Sequence, residues 1–585
     1  MADPMSKTQT WLSRIKRAEK IHEEWSNRFR IDKARRYFEG FQNDSGVPDS
    51  EWITINKIYS ILNVKLPSLY SIDPFFFIKL KRSFRVDSES IVFFEQRAKI
   101  RQSYLNYLKE EIGLKEKARM AIQDAHFAYG VIKVGFSADI VEDKESKGEL
   151  VPVNEKYTLK RIHPDDFIFG EDSGTLPESW DFVAERLRMT RESALDNPLL
   201  KNSVVKKLAP QDDGLSFGPK SRRKSQRQAI GFDAEHSKDS DVLFFWEVYD
   251  LRKKKWFIIA DDMDETNTGF VKEPEDIPGW IEGYPYAVLR FNLTDDSPYP
   301  IPPVSQLLDP QRELNLARSK IQTHRKRFNR KYEVFEDGLA GDREIEIQKL
   351  EAGGDGTVIR KLTPGQVTTA ITDAPMDPQL YTEILALNND LNEIAGSSPE
   401  QLGLPNAQSA TQASLIDSRL EVREGDRLSI VVDWVILIAK RLDQTVQAHI
   451  TRDEAIKVVG QGGEFWEVVK AVDFEDIQGE FQYSVNIGAS QPRIPTIERS
   501  QWLAFLQVLS SFPQLLLSPR LIKSMAEMHG IEDESLVQEL LSIGQQMMSG
   551  QIPGAEGAGS QRNVPENNPI AAILGQALGA TQGGR

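Results

Sequence analysis

Three helical segments separated by short breaks lie between Pro303 and Thr451, and they constrain the fold more than any other feature of this sequence. The first helix is predicted over residues 304–330, which contain few helix breakers. The second is predicted over 377–395, because Asp377 and Pro378 combine a capping residue with a first-turn proline. The third covers 409–450 with only Gly425 as a soft break, and it is far longer than most globular helices. Residues 332–376 form a short mixed insert between the first two.

The first of these helices is predicted to be strongly basic. Its apolar stripe consists of Leu314, Ala317, Ile321 and Phe328, and no acidic residue occurs from Leu314 to Tyr332. The bases on its remaining faces and just after it are Arg318, Lys320, Arg325, Lys326, Arg327, Arg330 and Lys331. Such a band is a local positive surface on which a polyanion can bind.

The second helix carries a narrow apolar seam instead. Its residues alternate at spacings of four and three, a pattern typical of packing against a partner helix. They are Leu380, Ile384, Leu387, Leu391 and Ile394.

Residues 396–408 break the helical pattern with glycine, serine, proline and asparagine, and they contain no base. Any contact of this loop with a ligand is therefore steric or made through small polar groups. Its characteristic residues are Gly396, Ser397, Ser398, Pro399, Gln401, Asn406 and Gln408.

The rest of the chain predicts an α+β, helix-rich protein. Residues 1–303 are predicted to alternate helices, one of them spanning 88–128, with strand-like runs such as 75–81 and 156–169. A further strand-like run is predicted at 357–362, within the insert. Residues 453–494 contain strand-like runs at 456–459 and 482–487, residues 495–549 are predicted to be helical, and 550–585 form a low-complexity tail that needs a partner to order. Residues 210–240 are a polar loop with five bases between Lys220 and Arg227. That loop is either a basic finger or, the favoured interpretation, a solvated segment.

The overall charge limits the kinds of partner. The chain holds 88 acids and 73 bases, a net charge of -15, whereas proteins that wrap nucleic acid usually present a basic surface. If DNA is a partner, the charge predicts that the protein passes it along rather than holding it tightly. The absence of cysteine excludes disulfides and thiolate chemistry and fits assembly in a reducing cytoplasm. No apolar run is long enough to span a membrane.

The sequence carries no motif typical of catalysis or of cofactor binding. The nearest approach to a phosphate-binding loop, 214–221, has the wrong spacing, and the seven histidines lack zinc-site spacing. The acidic run 261–265 is better explained as a solvated turn than as a cation site. The sequence thus predicts a non-enzymatic protein without a cofactor.

Six stretches in order resemble the portal proteins of tailed bacteriophages, especially the larger portals of short-tailed phages. They cover roughly residues 50–450, and their order agrees with the helix–insert–helix–loop–helix pattern. The stretches are NKIYSILNVKLPSLY at 56–70, IQDAHFAYGVIKVG at 122–135, IHPDDF at 162–167, WEVYD at 246–250, YPYAVLRFN at 284–292 followed by LDPQRELNLARS at 308–319, and LNEIAGSSPEQLG at 391–403 followed by SATQAS at 409–414.

The resemblance implies a division of the chain into the parts of a portal fold. These parts would be a wing at 1–303, a first stem helix at 304–331, a clip at 332–376, a second stem helix at 377–395, a tunnel loop at 396–408, a long wing helix at 409–452, a return to the wing at 453–494, a helical crown at 495–549 and the tail at 550–585.

The resemblance also implies partners and a location. Portal proteins form a closed homo-oligomeric ring, usually of twelve copies, at one capsid vertex of the virion, after assembly in the host cytoplasm. Double-stranded DNA passes through the ring during packaging and ejection. The terminase, the major capsid and scaffolding proteins and the tail adaptors dock on it, and no membrane is involved. A closed ring needs two different patches that meet, and the seam from Leu380 to Ile394 is expected to supply an inter-subunit contact.

Two questions stay open on the sequence alone. The bases from Arg318 to Lys331 either line the DNA channel or serve the structure, as a solvated outer face or in pairs with a neighbour's acids such as Glu383 or Asp390. The alternative functions are another phage connector or scaffold protein and, with less support, a packaging ATPase.

Overall fold

The computed structural model describes residues 4–485 except 45, 72–73, 82–87, 143–149, 209–241, 262–268, 328–330, 335–339, 353–361, 363–367, 372–377, 398–409, 451–453, 461–462 and 470–480. The chain forms two compact units, Met1–Ile456 with Val468–Gln491, and Lys457–Glu467 with Pro492–Arg585. The helices predicted over 495–549 and the tail lie outside the described residues.

Helices and strands alternate along the chain, which confirms the predicted α+β class. The helices are α1 (Pro4–Arg28), α2 (Ile31–Phe38), α3 (Lys57–Leu69), α4 (Ser88–Glu111), α5 (Leu114–Phe127), α6 (Arg191–Asp196), α7 (Asn202–Val205), α8 (Leu308–Arg327), α9 (Arg343–Ala352), α10 (Gln379–Ala395) and α11 (Ala410–His449). The strands are β1 (Phe76–Leu80), β2 (Gly130–Glu142), β3 (Leu150–Ile162), β4 (Phe167–Phe169), β5 (Phe182–Thr190), β6 (Val242–Asp250), β7 (Lys255–Ala260), β8 (Phe270–Asp276), β9 (Tyr286–Leu289), β10 (Lys331–Val334), β11 (Thr368–Ile371), β12 (Glu454–Gly460), β13 (Gly463–Val469) and β14 (Phe481–Val485).

Two antiparallel sheets form the centre of the first unit. One has five strands in the order β4-β5-β6-β7-β8, and the other has three in the order β3-β2-β9. Alternate residues of a strand point to opposite faces, so a nearly continuous apolar strand such as β6 is buried on both. Trp246 and Val248 pack under Ile15 and Ala18 of α1, while Phe245 belongs to a separate cluster on the other face.

The chain returns to this body after its longest helix. Strand β14 pairs antiparallel with β1, and Phe76 lies opposite Val485. Trp434 of α11 donates to the carbonyl oxygen of Ala287 in β9 over 3.1 Å. Arg101 of α4 and Asp443 of α11 form an ion pair of 3.5 Å in which both side chains are buried. Residues of β1 and α4 therefore share one core with residues of α11 and β14, which are more than 300 positions later in the sequence.

The structure corrects the single long helix predicted over 88–128. The segment is divided into α4 and α5, and Gly113 at the break has a φ of +64°. Glycine adopts this left-handed conformation without the steric penalty of a Cβ. The apolar periodicity continues across the break, and for that reason the sequence pattern concealed it. The strand predicted over 156–169 is likewise two strands, β3 and β4, separated by a 3-10 turn at Pro164–Asp166.

A buried ionic network joins the two sheets. Glu185 of β5 accepts from Lys133 at 2.9 Å and from Lys160 at 2.7 Å, and both lysines belong to the three-stranded sheet. Lys133 also pairs with Glu247 of β6, and the hydroxyl of Tyr286 donates to Glu185 at 3.1 Å. Burial alone would raise the pKa of Glu185, but the two lysines hold it below its ordinary value. The network fixes one sheet against the other.

Two buried histidines predict a pH dependence of stability. Burial lowers the pKa of His22 to about 4 and that of His126 to about 3, from an ordinary 6.5. As the pH falls below about 6.5, the unfolded chain binds protons that the folded chain does not, so each histidine reduces the free energy of unfolding by ~1.4 kcal/mol per pH unit down to its folded pKa.

This contribution is measured as the difference between the wild type and His22→Gln or His126→Gln in urea unfolding at several pH values. The variants must be compared with the wild type because Glu19 has the opposite effect on stability. Burial raises the pKa of Glu19 to about 8, so the folded chain binds a proton there at a higher pH than the unfolded chain does. We expect each variant to gain on the wild type as the pH falls from 6.5 to 4.5, by roughly the slope given above. A constant difference across that range would contradict the prediction.

Candidate nucleic-acid interface

The basic helix and the seam helix form an antiparallel pair. Helix α8 leads into β10, and β11 pairs antiparallel with β10, Lys331 lying opposite Ile371, before the chain returns through α10. Helix α9 lies between the two strands. The strand predicted over 357–362 falls outside the described residues except for Leu362, which lies in a bend and is 68% exposed. The insert nevertheless contains a pair of strands and a helix between the two helices.

The seam of α10 packs against α8 of the same chain. Leu314 and Ala317 of α8 share one core cluster with Ile384, Leu391 and Ala395 of α10. Burial of each large aliphatic side chain contributes roughly 1.5–3 kcal/mol, so the pair is held firmly. The apolar stripe of the first helix is thus the partner that the seam spacing requires.

This packing corrects the expectation of an inter-subunit contact for two of the five seam residues, Ile384 and Leu391. Ile384 is 9% exposed and Leu391 is fully buried, so neither reaches a neighbouring copy. Leu380 and Leu387 are half-buried, and only Ile394, at 40%, is exposed. The reason is that the apolar stripe of α8 lies directly alongside α10, and burial within the chain removes Ile384 and Leu391 from water.

The structure places part of the predicted basic band on the surface. Arg318, Lys320 and Arg325 are exposed, and none of them forms an ion pair with another residue that the structure describes. The side chains of Lys326, Arg327 and Lys331 and the whole of Arg330 lie outside the described part. Three of the seven predicted bases are therefore shown as exposed positive charges on one helix.

A ladder of buried amides and a hydroxyl on α8 was not predicted from the sequence. Gln311, Asn315 and Ser319 recur every four residues and are each less than 4% exposed. Their side chains accept hydrogen bonds from the backbone N–H groups of an extended segment. Gln311 accepts from Lys57 at 3.0 Å, Asn315 from Ile55 at 2.9 Å and Ser319 from Ile53 at 2.9 Å. Four residues of helix rise about 6 Å and two residues of extended chain about 6.6 Å, so the two repeats run in register.

Further bonds complete this ladder. Gln311 donates to the carbonyl oxygen of Ile55 at 2.7 Å, and Asn315 donates to the side chain of Gln42, which in turn donates to Tyr37. The extended segment before α3 is thereby fixed along the N-terminal half of α8, which we call its inner half. The position of the basic helix depends on this contact as well as on apolar packing.

The predicted loop begins at a well-defined helix end. Gly396 has a φ of +63°, and Ser397 donates its backbone N–H to the carbonyl oxygen of Asn392 at 3.0 Å. Buried Lys65 of α3 donates to the last helical carbonyl, that of Ala395. A cation at this end also complements the helix dipole. The remaining loop residues that the sequence singled out, Ser398, Pro399, Gln401, Asn406 and Gln408, lie outside the described part.

Other candidate charges are placed as follows. Glu383 and Asp390 of α10 are exposed and, within the described ranges, form no ion pair. Asp261 is buried and lies 3.0 Å from Arg186, while 262–265 and the basic loop at 210–240 fall in gaps of the description. Among described residues, no group of three or more acidic or histidine side chains is arranged to hold a metal ion. None of the described helices combines the length and apolar character needed to cross a membrane.

No protein-family model matches the chain, and no curated protein matches it either.

Proposed function

We propose that this chain is the subunit of a phage portal ring, a non-enzymatic channel for double-stranded DNA. The observation that carries the proposal is the helical pair α8–α10 with its inserted strands and helix, which leaves an α+β body and returns to it. The resemblance over residues 50–450 adds the specific class. In this assignment the body is the wing, α8 and α10 are the stem, and β10–β11 with α9 is the clip.

The charge distribution supports passage of DNA rather than tight binding. A net charge of -15 disfavours extensive contact with phosphates, since each phosphate neutralised by a base strengthens binding and slows sliding. A single basic helix repeated around a ring gives a narrow positive collar in an otherwise acidic wall. Terminase, capsid, scaffolding and tail adaptor proteins would dock on the outer parts, in the virion and during assembly in the host cytoplasm.

Negative-stain imaging of the purified full chain tests the proposal. Rings with a central hole support it, whereas monomers at every concentration, or open filaments, would count against it and favour another connector or scaffold protein. A nucleotide hydrolysis assay on the same sample tests the remaining rival, since sustained turnover would indicate a packaging ATPase.

Shortening the loop after α10 should separate assembly from DNA handling. We expect a variant with 398–408 replaced by a short Gly-Ser linker, retaining Gly396, Ser397 and the Lys65 contact, to form rings but to lose most genome packaging or retention. The loop has no base, so its effect on DNA is steric. Packaged DNA per particle is the measurement, and ring formation with unchanged melting is the control. Normal packaging by the shortened variant would refute the role of the loop.

A further inference from the structure

The surfaces that flank the buried seam of the α8–α10 pair differ in charge. Arg318 and Arg325 are exposed on α8, and Glu383 and Asp390 are exposed on α10. Within the described part of the chain none of the four has an ionic partner. These four charges thus remain uncompensated, as do those of Glu313 and Lys320, which are also exposed on α8.

Helical geometry places the two signs on opposite faces of the pair. With a turn every 3.6 residues, Arg318 and Arg325 lie roughly 50–70° around α8 from the centre of its buried stripe. Glu383 and Asp390 lie roughly 85–105° around α10 from its seam, in the opposite rotational sense. In an antiparallel pair, displacements in the same sense fall on the same face, so these opposite displacements fall on opposite faces.

Apolar side chains accompany the charges on both faces. Tyr381 and Leu385 are 51% and 66% exposed and lie on the side of α10 that faces the same way as Arg318. Ile394, 40% exposed, lies on the acidic face. One face is therefore basic and apolar, and the other is acidic with an exposed aliphatic residue.

The spacing of the charges is also matched. The two arginines are seven residues apart, and so are the two acids, which gives each pair a span of ~10.5 Å along its helix. A second copy placed side by side presents its acidic face to the basic face of the first, and both ion pairs can then form together. Such a contact joins two different patches and repeats from copy to copy, as a closed ring requires.

We infer that the basic face of one copy, defined by Arg318 and Arg325, binds the acidic face of the next, defined by Glu383 and Asp390. This inference rests on the proposed ring. The partner for these two arginines is thus a second copy of this chain, and the positive collar toward DNA is left to the other bases of the predicted band. The contact is electrostatic at its edges, so its strength falls as salt rises, because ions screen exposed pairs.

Complementary charge reversals test the contact. R318E/R325E makes both faces acidic, and E383R/D390R makes both faces basic, so each variant alone repels its own copies. We expect the concentration for half-assembly to rise roughly 10-fold or more in each, given the strength of exposed ion pairs and their repulsive counterparts. An equimolar mixture of the two variants should assemble again as alternating rings, and this shows that both fold.

The matched control is Lys320→Glu, a reversal on the same helix but on the acidic face. It should not weaken assembly, as measured by mass photometry or sedimentation over a range of concentrations. Wild-type rings together with unchanged assembly of R318E/R325E, or a mixture that stays unassembled, would overturn the contact and leave the ring proposal standing. A wild-type chain that never forms rings would count against the proposed function itself and so against this contact too.

Discussion

Glu185→Ala should destabilise the protein by about 3–5 kcal/mol, because it leaves charged and polar partners without the carboxylate that compensates them inside the fold. Glu185 is fully buried and accepts from Lys133, Lys160 and Tyr286. Lys133 keeps one partner, Glu247, while the hydroxyl of Tyr286 loses its acceptor. Since these partners belong to the three-stranded sheet and Glu185 to the five-stranded one, the contact between the sheets should weaken most.

Urea unfolding at neutral pH measures the loss, and Lys160→Ala is the matched control. Lys160 belongs to the same network, but its side chain is 58% exposed, so water replaces its bond and the expected loss is below about 1 kcal/mol. The pKa of Glu185 is lowered in the fold, so its contribution is present above the ordinary carboxyl pKa and is lost as the pH falls through the folded value. Equal losses for the two variants would show that the network is not the source of the effect.

Local patterns predicted the longer helices, because amphipathic periodicity is a property of neighbouring residues, whereas α2, α6, α7 and α9 were not identified. Helices α8, α10 and α11 end within a few residues of the positions expected from capping residues, prolines and glycines. The break at Gly113 was not predicted, because a residue in the left-handed conformation can redirect a helix without interrupting its apolar spacing. The short strand β9 and the seven-residue strands β8 and β13 were not identified at all.

The partner of a surface is harder to predict than the surface. The seam spacing from Leu380 to Ile394 correctly indicated helix packing, but nothing in a spacing says whether the partner belongs to the same chain. Here Leu314 and Ala317 of α8 supply it. The exposed flank at Tyr381 and Leu385 falls outside the seam, so the periodicity gave no reason to single it out.

Buried polar residues are the least predictable part of the candidate site. Lys65 is a charged residue within an otherwise mostly apolar stretch of α3. That position was the one sequence signal of its hydrogen bond to the end of α10. Gln311 and Asn315 resemble ordinary surface residues of a polar helix. Their partners in the segment before α3 and at Gln42 are 254 to 273 positions away along the chain, a range over which no local pattern carries information.

The ladder along α8 therefore provides the second large effect. Asn315→Leu keeps the size of the side chain but removes its amide, so the N–H of Ile55 and the side chain of Gln42 both lose a buried partner. Each unsatisfied buried group costs about 1–3 kcal/mol, which predicts a total loss of roughly 2–5 kcal/mol. The inner half of the basic helix should lose its register with the extended segment before α3.

Hydrogen exchange distinguishes this effect from a general loss of packing. In Asn315→Leu the amide of Ile55 should lose its protection first and by the largest factor, while amides of β6 in the sheet core keep theirs relative to global unfolding. Asn389→Leu is the matched control, the same change on the exposed side of α10, with an expected effect within about 0.5 kcal/mol. If Asn315→Leu were as stable as the wild type, or Ile55 stayed protected, the ladder would not hold the segment and α8 would be positioned by apolar packing alone.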